Sequence, residues 1–386
     1  MSRKPSLANG EDRFVRNAWY VALWAEELQA GKLVHQTIMR EPIVFFRKED
    51  GSAAAIVDRC SHRFAPLSMG KLLPGDRVQC HYHGLEFGAD GACVKNPHGN
   101  CSIPQAAHLR SFPVVEKHGF IWIWMGDRPA DASKIPDYSC LDIAPREHVT
   151  DPGYLKIAAH YELIVDNLLD LSHTAYVHAG ILGTPGTVQA DIGVEQIGDV
   201  VTVSRPSKDA ETPGMLQMLS PKGFERGDQW STISWYAPSN LILEYGVSKV
   251  GEAKEKGTGY FALHLLTPET ERSTHYRYSA VRWNVLTEGA EDNEKIRQKI
   301  RELRTFAFAE QDGPIIEAQQ RRMDESAAPL VPTLLAIDAG PIRYRRILDR
   351  MLAQERQGDQ GGTIPRRSAA VAAGAAACAG EECVES

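Results

Sequence analysis

Two stretches of sequence decide the fold of the N-terminal part of this chain: Cys60-Ser61-His62 and, after the 17 residues 63–79, Cys80-His81-Tyr82-His83. The first has Cys-x-His spacing and the second has Cys-x-x-His spacing. Two thiolates and two imidazoles on two short loops are the donors of a divided metal centre, in which one metal takes the sulfurs and another the nitrogens. His81 would point away from its neighbours on a strand, so we leave it out of the donor set.

These donors predict a Rieske-type [2Fe–2S] cluster held by Cys60, His62, Cys80 and His83. In such a centre imidazole replaces thiolate on one iron and raises the potential to roughly −150 to +300 mV. A centre at this potential can accept electrons from flavin or ferredoxin donors. A zinc site with two Cys and two His would use the same atoms and is the competing interpretation, although a zinc finger would need its His pair on a helix.

Short strands are predicted around both loops. Residues 38–46, 53–57 and 119–124 are strand-like, and residues 87–91 are typical of a hairpin. Several short strands at close spacing favour a small all-β domain. We expect this domain over residues 16–130, preceded by a flexible N-terminus over residues 1–15.

A second group of candidate residues lies in Asp166-Asn167-Leu168-Leu169-Asp170-Leu171-Ser172-His173 and continues to His178. Residues 161–182 have apolar residues at helical spacing, and on a regular helix Asp166, Asp170 and His173 share one face. His178 would lie about 140° from His173, so the helix has to unwind or bulge between them if both rings are to reach one metal. An amphipathic helix with two hydrogen-bonded His is the alternative.

Two His and one carboxylate on one side of a ferrous ion leave positions open for O₂ and substrate. We predict His173 and His178 as two of these ligands and Asp312 as the third. The Gly313-Pro314 pair that follows Asp312 is expected to break a long helix and to offer the carboxylate from a turn.

Other carboxylates near these residues have different predicted roles. Glu310 and Glu317 lie close to Asp312 in the sequence and remain alternative third ligands. Asp170 is expected to hydrogen-bond to a ligating His and to fix its tautomer.

The remainder of the chain predicts an α+β domain. A β-type region and two helical regions follow the candidate metal residues, at residues 190–285, 289–325 and 342–357. We expect a catalytic domain over residues 131–357 and a disordered tail over residues 358–386. The Gly- and Pro-containing stretch 183–225 is either a lid over the pocket or a plain surface loop.

Composition narrows the function classes. Hydrophobic residues make up 43% of the 386 residues and charged residues 24%, which is typical of a globular protein. A net charge of −7 without a basic block argues against nucleic-acid binding. The longest apolar run, residues 120–125, is far too short to span a membrane, and the polar N-terminus predicts no signal peptide. We therefore expect a cytoplasmic protein.

The chain resembles the Rieske non-haem iron oxygenases, and among them the vanillate and dicamba O-demethylase group. The resemblance runs from about residue 17 to about residue 350, and its motifs are Cys60-Ser61-His62-Arg63, Cys80-His81-Tyr82-His83-Gly84-Leu85, Asp166-Asn167-Leu168-Leu169-Asp170-Leu171, Leu266-Thr267-Pro268-Glu269-Thr270-Glu271 and Ile337-Asp338-Ala339-Gly340. It implies a Rieske domain followed by a helix-grip-like catalytic domain, which has an antiparallel sheet flanked by helices.

The resemblance also implies a quaternary structure. Members of this family form head-to-tail homotrimers, a heterologous arrangement that closes as a ring. By position, His83 of one subunit would adjoin Asp170 of the next, and this pair would bridge the cluster and the mononuclear iron.

The implied activity is that of the oxygenase component of a monooxygenase. It would use O₂ to dealkylate an aromatic substrate oxidatively, by O-demethylation or N-dealkylation. Electrons would come from NAD(P)H through a separate ferredoxin and/or flavin reductase, because the chain has no Gly-x-Gly-x-x-Gly fingerprint of its own. Ring cis-dihydroxylation uses the same metals and is an alternative; a Rieske electron carrier is the non-enzyme alternative.

The expected substrate pocket contains Asn167, Leu243, His264 and Leu303. Some relatives hold the carboxylate of an aromatic acid with Asn, His and Trp; His264 matches the His, whereas Leu243 and Leu303 stand at the other two positions. Since an unpaired buried carboxylate is costly, these departures favour a neutral aromatic such as an N-alkyl anilide or amide. A methoxybenzoate such as vanillate is the alternative substrate.

Overall fold

The structure is a computed structural model that describes residues 12–220, 224–287, 289–328 and 330–361, with side chains described up to residue 357. Residues 1–11 and 362–386 lie outside the described residues, and so does most of the predicted flexible N-terminus and tail. Among the described residues, no helix combines the length and apolar character needed to cross a membrane.

The N-terminal part consists of short strands, as predicted. They are β1 (Trp19–Trp24), β2 (Val34–Ile38), β3 (Glu41–Arg47), β4 (Ala53–Val57), β5 (Lys71–Leu73), β6 (Arg77–Gln79), β7 (Glu86–Phe87), β8 (Cys93–Lys95), β9 (Val114–Lys117) and β10 (Phe120–Trp124). They form three antiparallel sheets with the orders β1-β10-β9, β2-β3-β4 and β5-β6-β7-β8. The two Cys/His loops join the second of these sheets to the third and connect β6 to β7.

The C-terminal part is α+β, again as predicted. Its strands are β11 (Gly153–Ile157), β12 (Gly193–Ile197), β13 (Val200–Ser204), β14 (Ser207–Glu211), β15 (Arg226–Tyr236), β16 (Asn240–Ser248), β17 (Thr258–Thr270) and β18 (Ser273–Trp283). They form an antiparallel sheet of order β11-β18-β17-β16-β15-β13-β12, and β14 also pairs with β15. The stretch 183–225 is therefore largely structured and contributes three strands.

Helices flank this sheet. They are α1 (Cys140–Ile143), α2 (Tyr161–Leu169), α3 (Thr174–Val177), α4 (Pro185–Gln189), α5 (Gly214–Leu219), α6 (Ala290–Phe306), α7 (Gly313–Asp324) and α8 (Ala339–Gly361). A π-helical segment over Ala307–Asp312 joins α6 to α7. The last helix is longer than the predicted 342–357 and includes residues 358–361 of the predicted tail.

The large sheet is covered on both faces. Alternate residues of a strand point to opposite faces, and in β17 Leu266 joins the core formed with α2 and α8. Its neighbours Leu263 and Leu265 instead pack against the tryptophans of the N-terminal sheet, among them Trp122 and Trp124. The N-terminal domain is thus the second layer over the catalytic sheet.

The predicted strand over residues 38–46 is wrong in one respect. Met39 and Arg40 form a turn between β2 and β3, with positive φ angles of 51° and 65°. Neither residue favours this backbone region, so the sequence has no local turn signal here. Tertiary contacts stabilise the turn, because the two backbone N–H groups donate to the carbonyls of Pro268 and Glu269 at the end of β17.

The last residues of the predicted flexible N-terminus are packed. Phe14 and Val15 are buried, and Arg13 forms an ion pair with Glu162 of α2 at 2.7 Å and one with Asp349 of α8 at 2.9 Å. Burial raises the pKa of Glu162, but the charge and hydrogen bond of Arg13, together with the nearby His160 and Arg345, outweigh it and lower the pKa below its ordinary value. The N-terminal segment is therefore anchored to the catalytic half by charge.

We expect Arg13→Met to lower the free energy of unfolding by about 3–5 kcal/mol, because it leaves Glu162 buried without its partner. Denaturant unfolding at neutral pH measures this loss. The contribution of Glu162 is present above the ordinary carboxyl range and is lost as the pH falls through its lowered pKa, so the difference from wild type should shrink in acid. Arg16→Met, which breaks an exposed pair with Asp12, should cost less than about 1 kcal/mol; equal losses in both variants would contradict this account.

Candidate metal centre and active site

The two N-terminal Cys/His loops have the same backbone hydrogen bonds. The Cys60 N–H donates to the carbonyl of Ala65 and the Cys80 N–H to that of Leu85, while Phe64 and Gly84 donate back to the two Cys carbonyls. Phe64 and Gly84 both have left-handed φ angles, 61° and 70°. Gly84 is suited to this backbone, whereas at Phe64 the same loop is formed at some cost.

The four predicted cluster residues form two separate pairs. Cys60 and Cys80 are buried and their thiols are hydrogen-bonded, whereas the rings of His62 and His83 lie nearer the surface with centroids 4.6 Å apart. Burial raises the pKa of the Cys60 thiol to about 11. Ionising such a thiol at neutral pH requires a nearby cation, which is what a bound metal provides. A sulfur pair and a nitrogen pair fit a two-iron cluster with divided ligands.

The predicted helix over residues 161–182 is wrong beyond Leu169. Asp170 leaves the helical conformation, with φ −89° and ψ 89°, and its carboxylate accepts the N–H of Ser172 at 2.8 Å. An Asp that hydrogen-bonds to the backbone two residues on competes with helix formation. Asp166, Asp170 and His173 therefore do not share a helix face, and Asp166 instead pairs with Arg345.

A single short helix, α3, separates the two metal-candidate His. The prediction was that the helix unwinds or bulges between the two His. The backbone instead leaves helical geometry before α3, at Asp170, and at its end, at His178. The ring centroids of His173 and His178 lie 5.1 Å apart.

Asp312 is the last residue of the π-helical segment. The predicted break at Gly313-Pro314 is wrong, because the helix continues through this segment into α7. Here the Gly313 N–H donates to the carbonyl of Phe308, five residues earlier, and Pro314 lies in the first turn of α7, where its missing N–H is tolerated. A Cβ at Gly313 would lie only 2.7 Å from that carbonyl oxygen. Single π-turns of this kind frequently occur at functional sites.

His173, His178 and Asp312 converge. Their donor atoms all lie within 4.8 Å of one another, with His178 Nε2 3.2 Å from Asp312 Oδ2 and His173 Nε2 3.6 Å from Asp312 Oδ1. His178 is 1% exposed and Asp312 3%. Burial lowers the pKa of His178, but the hydrogen bond and charge of Asp312 outweigh it and raise it above the ordinary value. Two imidazole nitrogens facing one buried carboxylate are suited to a divalent metal.

Neighbouring groups orient these three side chains. Gln311 Oε1 lies 2.8 Å from His178 Nδ1 and accepts its N–H, which leaves Nε2 for Asp312. The main-chain carbonyl of Asp170, rather than its predicted carboxylate, accepts the N–H of His173 Nδ1. The amide of Asn167 donates to Asp312 Oδ1 at 3.2 Å. Such contacts set ring tautomers and ligand orientation.

The alternative third ligands lie elsewhere. Glu310 is exposed on a surface groove, and Glu317 accepts the backbone N–H of Ala158 at 2.9 Å. The structure therefore brings only Asp312, of the three carboxylates considered, to the two His.

A mostly apolar cavity adjoins His173, His178 and Asp312. Predicted pocket residues Leu243, His264 and Leu303 line it, together with His173, His178 and Asp312 themselves. Further apolar lining comes from Leu168, Leu171, Ile181, Leu182, Met215, Ile233 and Phe308. Asn167 is not among the residues that line this cavity; its amide donates to Asp312, and it lines a surface cavity together with Asp170.

Two residues of the site were missed from the sequence. The role of Gln311 depends on the π-turn, which has no sequence signal of its own. Arg304 also lines the apolar cavity and is 5% exposed. A signal for it exists, since Arg304 is four residues after the buried Ile300 and so interrupts the apolar stripe of α6 with a charge.

Two protein families match the chain in succession. The Rieske [2Fe-2S] domain family matches residues 18–113, and the vanillate O-demethylase oxygenase C-terminal domain family matches residues 157–354. The oxygenase component of dicamba O-demethylase from Stenotrophomonas maltophilia is 38% identical over 342 residues, which cover 88% of this chain and 98% of that relative.

Another relative and a solved structure agree with this result. The oxygenase component of chloroacetanilide N-alkylformylase from Rhizorhabdus wittichii is 36% identical over 350 residues, covering 89% of this chain and 97% of the relative. Dicamba monooxygenase in its crystal structure with 3,6 dichlorosalicylic acid has a TM-score of 0.81 and 35% identity, over 89% of this chain and 99% of that one. The chain thus belongs to the Rieske non-haem iron oxygenases, in the group of the vanillate and dicamba O-demethylases.

Proposed function

We propose that this chain is the oxygenase component of a monooxygenase system that oxidatively dealkylates a substituted aromatic compound. The observation that supports this most directly is the convergence of His173, His178 and Asp312 at the wall of an apolar cavity. The relatives named above add support, because two of them are oxygenase components of an O-demethylase and an N-alkylformylase.

His173, His178 and Asp312 would hold a ferrous ion, and Cys60, His62, Cys80 and His83 a Rieske [2Fe–2S] cluster. The donor sets fit both groups, as the buried thiol pair and the carboxylate between two imidazoles indicate. When bound, these groups supply the reductive activation of O₂.

The protein's own part is positioning. The Asp170 carbonyl and Gln311 hold the Nε2 atoms of His173 and His178 toward Asp312. The apolar cavity walls exclude water and place the O- or N-alkyl carbon of the substrate next to these three residues. One oxygen atom of O₂ enters the C–H bond, and the other takes up two electrons from the reductase and two protons and leaves as water. The resulting hemiacetal or hemiaminal breaks its C–O or C–N bond and releases an aldehyde.

Neutral aromatics such as N-alkyl anilides are the favoured substrates. Leu243 and Leu303 line the cavity where some relatives have polar residues, and the oxygenase component of a chloroacetanilide N-alkylformylase is among the similar proteins. A second candidate function is O-demethylation of a methoxybenzoate. One observation favours it: the buried Arg304 lines the cavity and pairs with no carboxylate in the described part of the chain.

Partners and assembly follow from the same proposal. The relatives are named as oxygenase components, which supports a separate ferredoxin and/or flavin reductase as electron donor, with NAD(P)H used only through it. We propose a head-to-tail homotrimer in the cytoplasm. In this trimer His83 of one subunit adjoins Asp170 of the next, whose carboxylate accepts one described hydrogen bond in its own chain, from Ser172.

Gln311→Ala is expected to lower the affinity for a divalent metal about 10- to 100-fold, because the His178 ring loses the acceptor that orients it. Competition between metal-depleted protein and a chelator, with Co²⁺ or Fe²⁺ added without O₂, measures this affinity. Gln298→Ala removes an exposed Gln of α6 and is the matched control. Equal metal affinity in both variants would contradict the assigned role of Gln311.

Substrate-dependent O₂ uptake with mass analysis of products tests the proposed reaction. The protein is reconstituted with a surrogate reductase and offered neutral N-alkyl or O-alkyl anilides and, separately, methoxybenzoates. We expect the neutral compounds to be consumed with release of one aldehyde per O₂. Turnover of the acids alone would favour the second candidate function, and a cis-diol without aldehyde would contradict dealkylation.

Asp170→Asn is expected to retain the visible bands of the cluster and the metal affinity, while turnover falls by about 100-fold or more because the bridge between subunits is altered. Asp338→Asn changes the same charge at the same surface cavity and should leave turnover near the wild-type value. Wild-type turnover in the Asp170 variant would remove Asp170 from the proposed bridge.

A further inference from the structure

Arg205 is a buried cation whose hydrogen bonds go to neutral groups. It directly follows β13, is 6% exposed, and its backbone N–H donates to the carbonyl of Ser231 in β15 at 2.8 Å. Its Nη1 donates to the hydroxyl of Ser172 at 2.7 Å, and its Nη2 donates to the main-chain carbonyl of Val188 in α4 at 2.9 Å. Its Nε has no partner among the described residues. Arginine is rarely buried so deeply unless it is paired with a carboxylate, so Arg205 is unusual for its surroundings.

Ser172 lies in the turn that carries two residues of the candidate site. The turn runs from Asp170 to His173, and its own hydrogen bonds join the Ser172 N–H to the Asp170 carboxylate and His173 Nδ1 to the Asp170 carbonyl. Among the described residues, Arg205 is the one side chain outside residues 170–174 that hydrogen-bonds to this turn. Because the backbone of Arg205 is held by β15, the guanidinium connects the turn to the large sheet.

Arg205 holds the turn without occupying the carboxylate of Asp170. Burial lowers the pKa of Arg205 below its ordinary value, and the nearby charge of Asp170 opposes this shift. The two side chains nevertheless form no ion pair in the described part of the chain, because the Nη atoms are engaged by Ser172 and Val188. The carboxylate of Asp170 accepts one described hydrogen bond, at Oδ1 from the Ser172 N–H. The second carboxylate oxygen is thus left for a group outside this turn.

We propose that Arg205 is a positioning residue for the candidate metal centre and acts through the hydroxyl of Ser172. By fixing the turn to the sheet, it holds the ring of His173 toward Asp312, with 3.6 Å between Nε2 and Oδ1. It also keeps Asp170 at the surface cavity that this residue lines. The effect on Asp170 rests on the proposed function, whereas the effect on His173 requires only that the site binds a metal.

A double-mutant cycle on metal affinity tests this inference. Arg205→Met removes the guanidinium and keeps a long side chain, and Ser172→Ala removes only the hydroxyl, because the N–H that binds Asp170 belongs to the backbone. The full chain with its cluster is depleted of mononuclear metal, and Co²⁺ is titrated against a chelator without O₂. Arg343→Met is the matched control, because Arg343 also donates to a main-chain carbonyl, that of Val194, at 2.8 Å.

We expect Arg205→Met to weaken Co²⁺ binding about 10-fold and Ser172→Ala to weaken it by a similar factor. In the double variant the loss should equal that of Arg205→Met alone, because both substitutions break the same hydrogen bond. Arg205→Lys, which retains the charge and one donor group, should recover part of the affinity. Arg343→Met should bind Co²⁺ as tightly as the wild type does.

A rate measurement examines the same turn at Asp170. The protein is saturated with Fe²⁺, its cluster is reduced, and reoxidation by O₂ is followed in a single turnover with a compound that releases aldehyde in the O₂-uptake assay. We expect Arg205→Met and Ser172→Ala to slow reoxidation about 10-fold while KM changes less than about threefold, because a displaced carboxylate weakens the bridge and the substrate cavity is unaltered.

Two results would overturn the inference. Unchanged Co²⁺ affinity in Arg205→Met would mean that the turn needs no support from Arg205, and losses that multiply in the double variant would mean that Arg205 acts through α4 or through packing. Unaltered visible bands and thermal midpoint verify that each variant is folded. If Arg205→Met is not folded, Ser172→Ala is compared with Ser172→Thr, which keeps the hydroxyl; equal affinities in these two would also refute the inference.

Failure of the proposed function gives a different result. A wild-type protein that releases no aldehyde with either panel of compounds would refute the dealkylation. The Co²⁺ cycle needs neither substrate nor O₂, so it would still decide whether Arg205 positions the turn.

Discussion

A carboxylate buried between two imidazoles, Asp312 against His173 and His178, is the interaction on which the catalytic half of this protein depends. The groups come from segments separated by more than a hundred residues, and each segment leaves regular helical geometry where it reaches the site. The pairing of Asp312 with His178 and the hydrogen bonds that involve Asn167 and Gln311 offset part of the cost of burying these polar groups, and a bound cation would offset more of it. The irregular backbone at Asp170 and over Ala307–Asp312 is therefore understood as the local cost of bringing three metal donors together.

The rest of the fold holds these two irregular segments in place. Helix α2, which ends just before the site, packs on one face of the large sheet, and the tryptophans of the N-terminal domain cover the other face. The turn at Met39 and Arg40 hydrogen-bonds to the end of β17, so the two domains are also joined through their backbones. The same β17 contributes His264 to the cavity, so a single strand links the domain interface, the sheet and the cavity.

The sequence was sufficient to predict the domain order, the α+β class and the residues that converge, because Cys, His and Asp at these spacings have few other uses. It was insufficient where tertiary contacts override local preference. The Asp170 side chain ends a helix whose apolar pattern continues, and Gly313-Pro314 is accommodated by a π-turn instead of a break. The contacts of Asn167 with Asp312 and of Gln311 with His178 depend on that same geometry, and no local pattern in the sequence indicates them.

The central claim is that one chain holds two different iron centres, with the mononuclear site at His173, His178 and Asp312. Iron and acid-labile sulfide content, measured together with the visible spectrum on wild type and on His178→Ala, tests it most directly. The account predicts about three irons and about two sulfides per wild-type chain, and the loss of about one iron in the variant with the cluster bands unchanged. Unchanged iron content in the variant, or loss of the cluster bands with it, would contradict the account.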